Sequence, residues 1–108
     1  MPSDQFVVIL TTFPVDRDVE QFAKTLVEER LAACVNVLPP MRSIYRWKGA
    51  IDTADERQLL IKTDIDRVHE LETRIKALHP YDVPEFLVIS VLDGSGDYLS
   101  WVADSTKP

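Results

Sequence analysis

Apolar residues fall in short clusters along this chain, and the rhythm within the clusters changes from one to the next. Residues 5–13, QFVVILTTF, run almost unbroken in β-branched and aromatic residues up to Pro14. That pattern predicts a buried strand, closed by a residue that cannot donate to a ladder. Across residues 15–31, VDRDVEQFAKTLVEERL, the period lengthens: Val19, Phe22, Ala23, Leu26, Val27 and Leu31 recur at helical spacing. Asp16 or Asp18 is placed to cap the first turn, and Glu20 stands four residues before Lys24.

Two long strands are predicted next, over residues 32–49, AACVNVLPPMRSIYRWKG, and 50–63, AIDTADERQLLIKT. They meet at Lys48-Gly49, where glycine can supply a positive-φ turn position. Pro39-Pro40 interrupts the first strand and predicts an edge, a bulge or a bend there. Residues 64–79, DIDRVHELETRIKALH, return to helical spacing, with Ile65, Val68, Leu71, Ile75 and Leu78 on one stripe. Glu70-Arg74 and Glu72-Lys76 are spaced to pair on the opposite side, and Pro80 ends the helix. Residues 85–93, EFLVISVLD, predict a last core strand. Gly94 and Gly96 then loosen the chain before DYLSWVADS, residues 97–105, a short helix or an extended tail.

The order strand, helix, strand, strand, helix, strand is an α+β plan, the ferredoxin-like βαββαβ arrangement with both helices on one face of an antiparallel sheet. The expectation is one domain over residues 1–108. Residues 33–47, if extended, reach about 50 Å at about 3.3 Å per residue, against roughly 35 Å for a domain of this size. The hairpin must therefore bend or project. Its end carries Ile44, Tyr45, Trp47 and Ile51, and exposed apolar surface beside bare strand edges is commonly covered by another chain. An oligomer is expected on these grounds alone.

Composition narrows the partners. With 45% apolar and 28% charged residues the chain is an ordinary folding mixture, and its net charge of −6 repels nucleic acid and anionic membranes. Arg42, Arg46 and Lys48 form only a small basic patch, and no apolar run is long enough to span a bilayer. One cysteine permits no internal disulfide, and the start MPSDQF has no leader-like pattern, so the expected compartment is the cytoplasm.

The residues able to carry chemistry are few. Cys34, among small and apolar neighbours, reads as a core residue or as a soft ligand for copper or zinc. His79, at the end of the second helix, reads as a capping residue or as a ligand, with the helix dipole, Asp82 and Glu85 favouring its charged form. His69 is expected to be solvated. A Cys34–His79 hydrolytic pair would lack an oxyanion loop, and three glycines, at 49, 94 and 96, supply no phosphate-binding motif. Neither an enzyme nor an organic cofactor is expected. Glu56 and Lys62 share one strand face, as a solvated or intersubunit ion-pair face or as a ligand site. Trp47, Tyr98 and Trp101 are interface anchors able to line a cleft between subunits.

Taken in order, ERLAACVNVLP, SIYRWKGAI, LIKT, HPYDVPEFLVISV and DYLSWV resemble the CutA family of divalent-cation tolerance proteins, from about residue 6 to 104. The resemblance implies a cytosolic homotrimer of ferredoxin-like subunits, built like the PII-type signalling trimers, with bent hairpins wrapping neighbouring subunits. It implies a role in copper tolerance, binding of copper or other divalent metals, and no enzymatic activity. Cys34, Trp47, Gly49, Glu56, Lys62, His79, Pro84, Glu85, Tyr98 and Trp101 stand at family positions. Some members carry cysteine where Thr11 stands and histidine where Leu78 stands, residues that look like copper ligands there and are missing here; Asp82 stands where glutamate is frequent. Two functional classes follow: a metal-binding trimer with ligands His79 and Cys34, or a PII-like scaffold taking a small molecule or partner protein in a cleft lined by Trp47, Glu56, Lys62, Tyr98 and Trp101.

Overall fold

The computed structural model describes residues 5–108; residues 1–4, part of the stretch read as lacking a leader, lie outside it. Its elements are β1 (Phe6–Pro14), α1 (Val19–Glu28), β2 (Cys34–Trp47), β3 (Ala50–Asp64), a 3-10 turn (Ile65–Arg67), α2 (Val68–Leu78), β4 (Leu87–Ser90) and α3 (Gly96–Ser105). The four strands form one antiparallel sheet in the order β2-β3-β1-β4. This is the expected βαββαβ arrangement with one more helix at its end.

The core lies between one sheet face and helices α1 and α2. Val7, Ile9 and Phe13 of β1, with Leu59 and Ile61 of β3, meet Phe22 and Leu26 of α1 and Leu71 and Ile75 of α2. Asp18, rather than Asp16, caps α1 by accepting from the Gln21 amide at 3.0 Å. The helix ends in a Schellman-type turn: Leu31 N–H bonds Leu26 O, Arg30 N–H bonds Val27 O, and Arg30 takes the left-handed position at φ 61°. Val27, expected on the apolar stripe, lies within the helix but is exposed.

Two expected contacts differ. Arg74 turns from Glu70 to Glu29 at the end of α1, making two bonds of 2.8 and 2.9 Å, while Glu70 binds Arg67. The forked guanidinium–carboxylate geometry satisfies two donors at once, which a single contact along one helix does not. Glu72 and Lys76 pair as expected. The other correction concerns β4, expected as a core strand over residues 85–93. It spans four residues, all exposed, at the sheet edge beyond β1, outside the core that α1 and α2 cover.

The β2–β3 hairpin projects. It turns through Lys48 (φ 51°) and Gly49 (φ 81°), the double positive-φ geometry that suits strand twist. Between Val37 and Pro40 the register slips, so the proline pair marks a bulge on an edge strand. The molecule extends 44 Å along its long axis against 26 and 24 Å across.

Candidate functional site

Where the outer part of this arm, beyond the proline bulge, faces the corner after α2, the chain forms a cleft of about 760 Å³. One wall comes from the arm, with Met41, Ser43, Ile44, Tyr45 and Trp47, and the other from residues 80–85; Thr12, Glu56 and Gln58 lie between. Strand alternation explains the floor. Thr12 of β1 pairs with Gln58 of β3, and residues 56, 58, 60 and 62 point away from the core that Leu59, Ile61 and Thr63 enter.

Glu56 is the deepest charged group in the cleft, 6% exposed. Its Oε2 accepts from the Tyr81 hydroxyl at 2.7 Å and the Thr12 hydroxyl at 3.3 Å. Burial and the adjoining Glu56 carboxylate hold the Tyr81 phenol protonated well above its usual range, which keeps it a donor. Gln58 Nε2 donates to Glu85 Oε2 at 2.9 Å and to Thr11 O at 2.8 Å, tying the corner to the sheet.

His79 stands behind this wall, buried. Its backbone N–H bonds Ile75 O, and its ring reaches β1 rather than the last helix carbonyls. Nδ1 accepts from the Tyr81 amide at 3.1 Å, so the proton sits on Nε2, which donates to Thr12 O at 2.6 Å. The ring also lies against Phe13, Phe22 and Tyr81. Burial pushes this imidazole below its ordinary pKa, against the pull of the Thr12 carbonyl and the Glu56 carboxylate. The neutral ring is therefore favoured, the reverse of the dipole-stabilised cation expected from sequence.

The expected site residues separate into groups. Trp47 and Glu56 both line the cleft. Tyr98 and Trp101 instead form their own tilted pair on α3, ring centroids 5.5 Å apart, and Lys62 is half-buried opposite Val8 and Cys34; none of these three lines the cleft. Cys34 shares the Lys62 face of the sheet, whereas His79 packs on the core side against Phe13 and Phe22. From the level of Cys34 to that of Thr12 is four residues, about 13 Å along the sheet. Cys34 and His79 thus form no shared site within one chain. Among the described residues no three His, Cys, Asp or Glu side chains converge as metal ligands, so a metal does not fit a single chain. His69 is exposed, as expected. Sequence reasoning missed Thr12, Gln58 and Tyr81; the signal for Tyr81 lay in the HPYDVPEF corner, read for its prolines and histidine.

The family model for the CutA1 divalent ion tolerance protein matches residues 7–105. The chain belongs to this family. It is 46% identical over 99 residues to the divalent-cation tolerance protein CutA of Thermus thermophilus, covering 92% of this chain and 96% of the relative. The crystal structure of CutA from Xylella fastidiosa superposes with a TM-score of 0.91 at 42% identity, covering 96% of this chain and all of that one. A structure from Archaeoglobus fulgidus, described as a periplasmic divalent cation tolerance protein, matches at a TM-score of 0.89 and 32% identity over 94% of this chain and 99% of its own. Among the described residues of this chain, no helix is long and apolar enough to cross a membrane.

Proposed function

We propose that this family member is a cytoplasmic homotrimer that binds divalent metal ions, copper among them, and takes part in the response to metal ions. It is read as a binding protein and not as an enzyme. The observation that carries the reading is the charge of the cleft: among the described residues, its charged lining residues are Glu56, Asp82 and Glu85, all acidic. Such walls concentrate cations. Because too few donors converge in one chain, a bound metal would draw ligands from neighbouring chains. Cys34 and His79 are the soft donors of this reading; each would act with a neighbour's donors, His79 after releasing Thr12 O.

Assembly is supported by the sheet, which ends in the projecting β2 on one side and the exposed apolar β4 on the other. Two different unpaired edges suit head-to-tail pairing, which closes into a ring when the rotation allows. The cytoplasmic placement rests on the sequence alone.

Calorimetric titration of the reduced full chain with copper(I) and copper(II) tests the metal. Saturable binding is expected, weakened about tenfold in Cys34→Ser, His79→Ala or Glu56→Gln and weakened further as falling pH protonates the ligands. Heats no larger than those of a control protein would overturn the reading. A second reading, a PII-like trimer holding a small molecule in the cleft, is favoured by the cleft's size, since ligand pockets span about 300–1,000 Å³.

A further inference from the structure

We infer that residues 80–85 form a strap that lifts from the sheet as one unit, without the sheet unfolding, and uncovers Glu56 when it does. The inference takes from the proposed function only that the acidic cleft is where a cation is held, and it names what regulates entry. Among the described residues, no backbone–backbone hydrogen bond ties residues 80–86 to any other element. The segment has firm ends instead. His79 is buried against Phe13 and Phe22, and Phe86 packs against the core just before β4. Between them Asp82 and Val83 are exposed. A stretch with so little buried apolar surface and no ladder opens at a lower free-energy cost than the core strands beside it.

Three bonds, each involving a side chain, hold the strap down. The Tyr81 amide donates to His79 Nδ1 at 3.1 Å, the Tyr81 hydroxyl donates to Glu56 Oε2 at 2.7 Å, and Gln58 Nε2 donates to Glu85 Oε2 at 2.9 Å. Pro80 and Pro84 fix φ near both ends, which leaves the strap few internal ways to give, so its two fastened ends move together. Glu56 lies beneath it. This carboxylate is on the sheet face that α1 and α2 leave open, where its strand neighbours Gln58, Leu60 and Lys62 are half-buried, yet it is buried with Tyr81 bonded to it. Such a group has given up water for two hydroxyl donors, Tyr81 and Thr12. Lifting the strap returns that water, which offsets part of the cost of opening.

The test is native-state hydrogen exchange of the metal-free full-length protein, in its solution assembly at constant neutral pH. It is read at the Tyr81 amide and at those of Ile9 and Ile61, which face each other in the β1–β3 ladder. Needing no ligand, it succeeds or fails whether or not a metal binds. Protection of the Tyr81 amide is expected to be at least about tenfold below that of Ile9 and Ile61. It is expected to fall about tenfold further in Tyr81→Phe, which cuts the Glu56 fastener, and in Glu85→Ala, which cuts the fastener at the other end, with the ladder amides unchanged. Labelling of Glu56 by a water-soluble carbodiimide and an amine is expected to quicken in step. Exchange of Tyr81 in step with the ladder amides would mean that the strap opens only with the fold, and would overturn the proposal. A Tyr81 amide unmoved by either one of the variants would show separate contacts rather than a unit, and Glu56 labelling at an unchanged rate would show that the strap does not cover it; each would overturn the proposal too.

Discussion

Two buried residues that touch the same stretch of β1 show how far single side chains can be argued. Thr11 is fully buried on the core face, and its hydroxyl has no hydrogen-bond partner. Leaving such a group unpaired costs about 1–3 kcal/mol. Thr11→Val is therefore expected to raise stability by about 1 kcal/mol, read as a higher urea midpoint with unchanged slope at fixed protein concentration. A lower midpoint would mean that the hydroxyl has a partner in the assembled protein. His79 sets a pH dependence. Its folded pKa is lowered, so the unfolded chain binds the extra proton first as pH falls. The stability it contributes is complete above the unfolded value near 6.5 and is lost as pH falls through that value toward the folded one. Protonation would also set an Nδ1–H against the Tyr81 amide, two donors facing each other. Wild type should lose more stability between pH 7 and pH 5 than His79→Gln, and equal losses would remove this account. From sequence His79 could be singled out but not oriented, because its partner, Thr12 O, lies 67 positions away in the chain.

At the scale of elements, what was legible was what depends on neighbours in the chain. Asp18, the stripe through Phe22 and Leu26, Leu71 and Ile75, the proline bulge and the Lys48-Gly49 turn all follow from local rules, and the structure contains each of them. What failed depends on distant packing: Arg74 prefers a carboxylate on another helix, and β4 looks like a core strand because an apolar run does not say which chain covers it. The turn gives a sharp prediction. A methyl at Gly49 would meet nothing within 4 Å, so only the backbone at φ 81° resists it. Gly49→Ala is expected to cost about 1 kcal/mol. Thermal unfolding at fixed protein concentration measures this, and an unchanged midpoint would show that the hairpin turn is free to change conformation.

As a whole molecule, the chain looks unfinished. Ile44 and Ile51 at the arm's end are 71% and 62% exposed, and Leu87, Val88 and Ile89 are about half exposed on β4, apolar side chains at both ends of the sheet that another chain could cover. The candidate site shares this character: the sequence placed Trp47, Glu56, Lys62, Tyr98 and Trp101 in one cleft, and a single chain gathers only the first two. A residue pattern carries no record of which copy supplies a wall, so residue chemistry could mark the rings as interface anchors and Glu56 and Lys62 as one strand face without saying which of them meet. The central claim is that other copies of this chain supply what one copy lacks. Sedimentation equilibrium of the reduced, metal-free full-length protein tests it directly. A mass of three 12.3 kDa chains, unchanged on dilution to micromolar concentration, is the result predicted; a single-chain mass under the same conditions would contradict it.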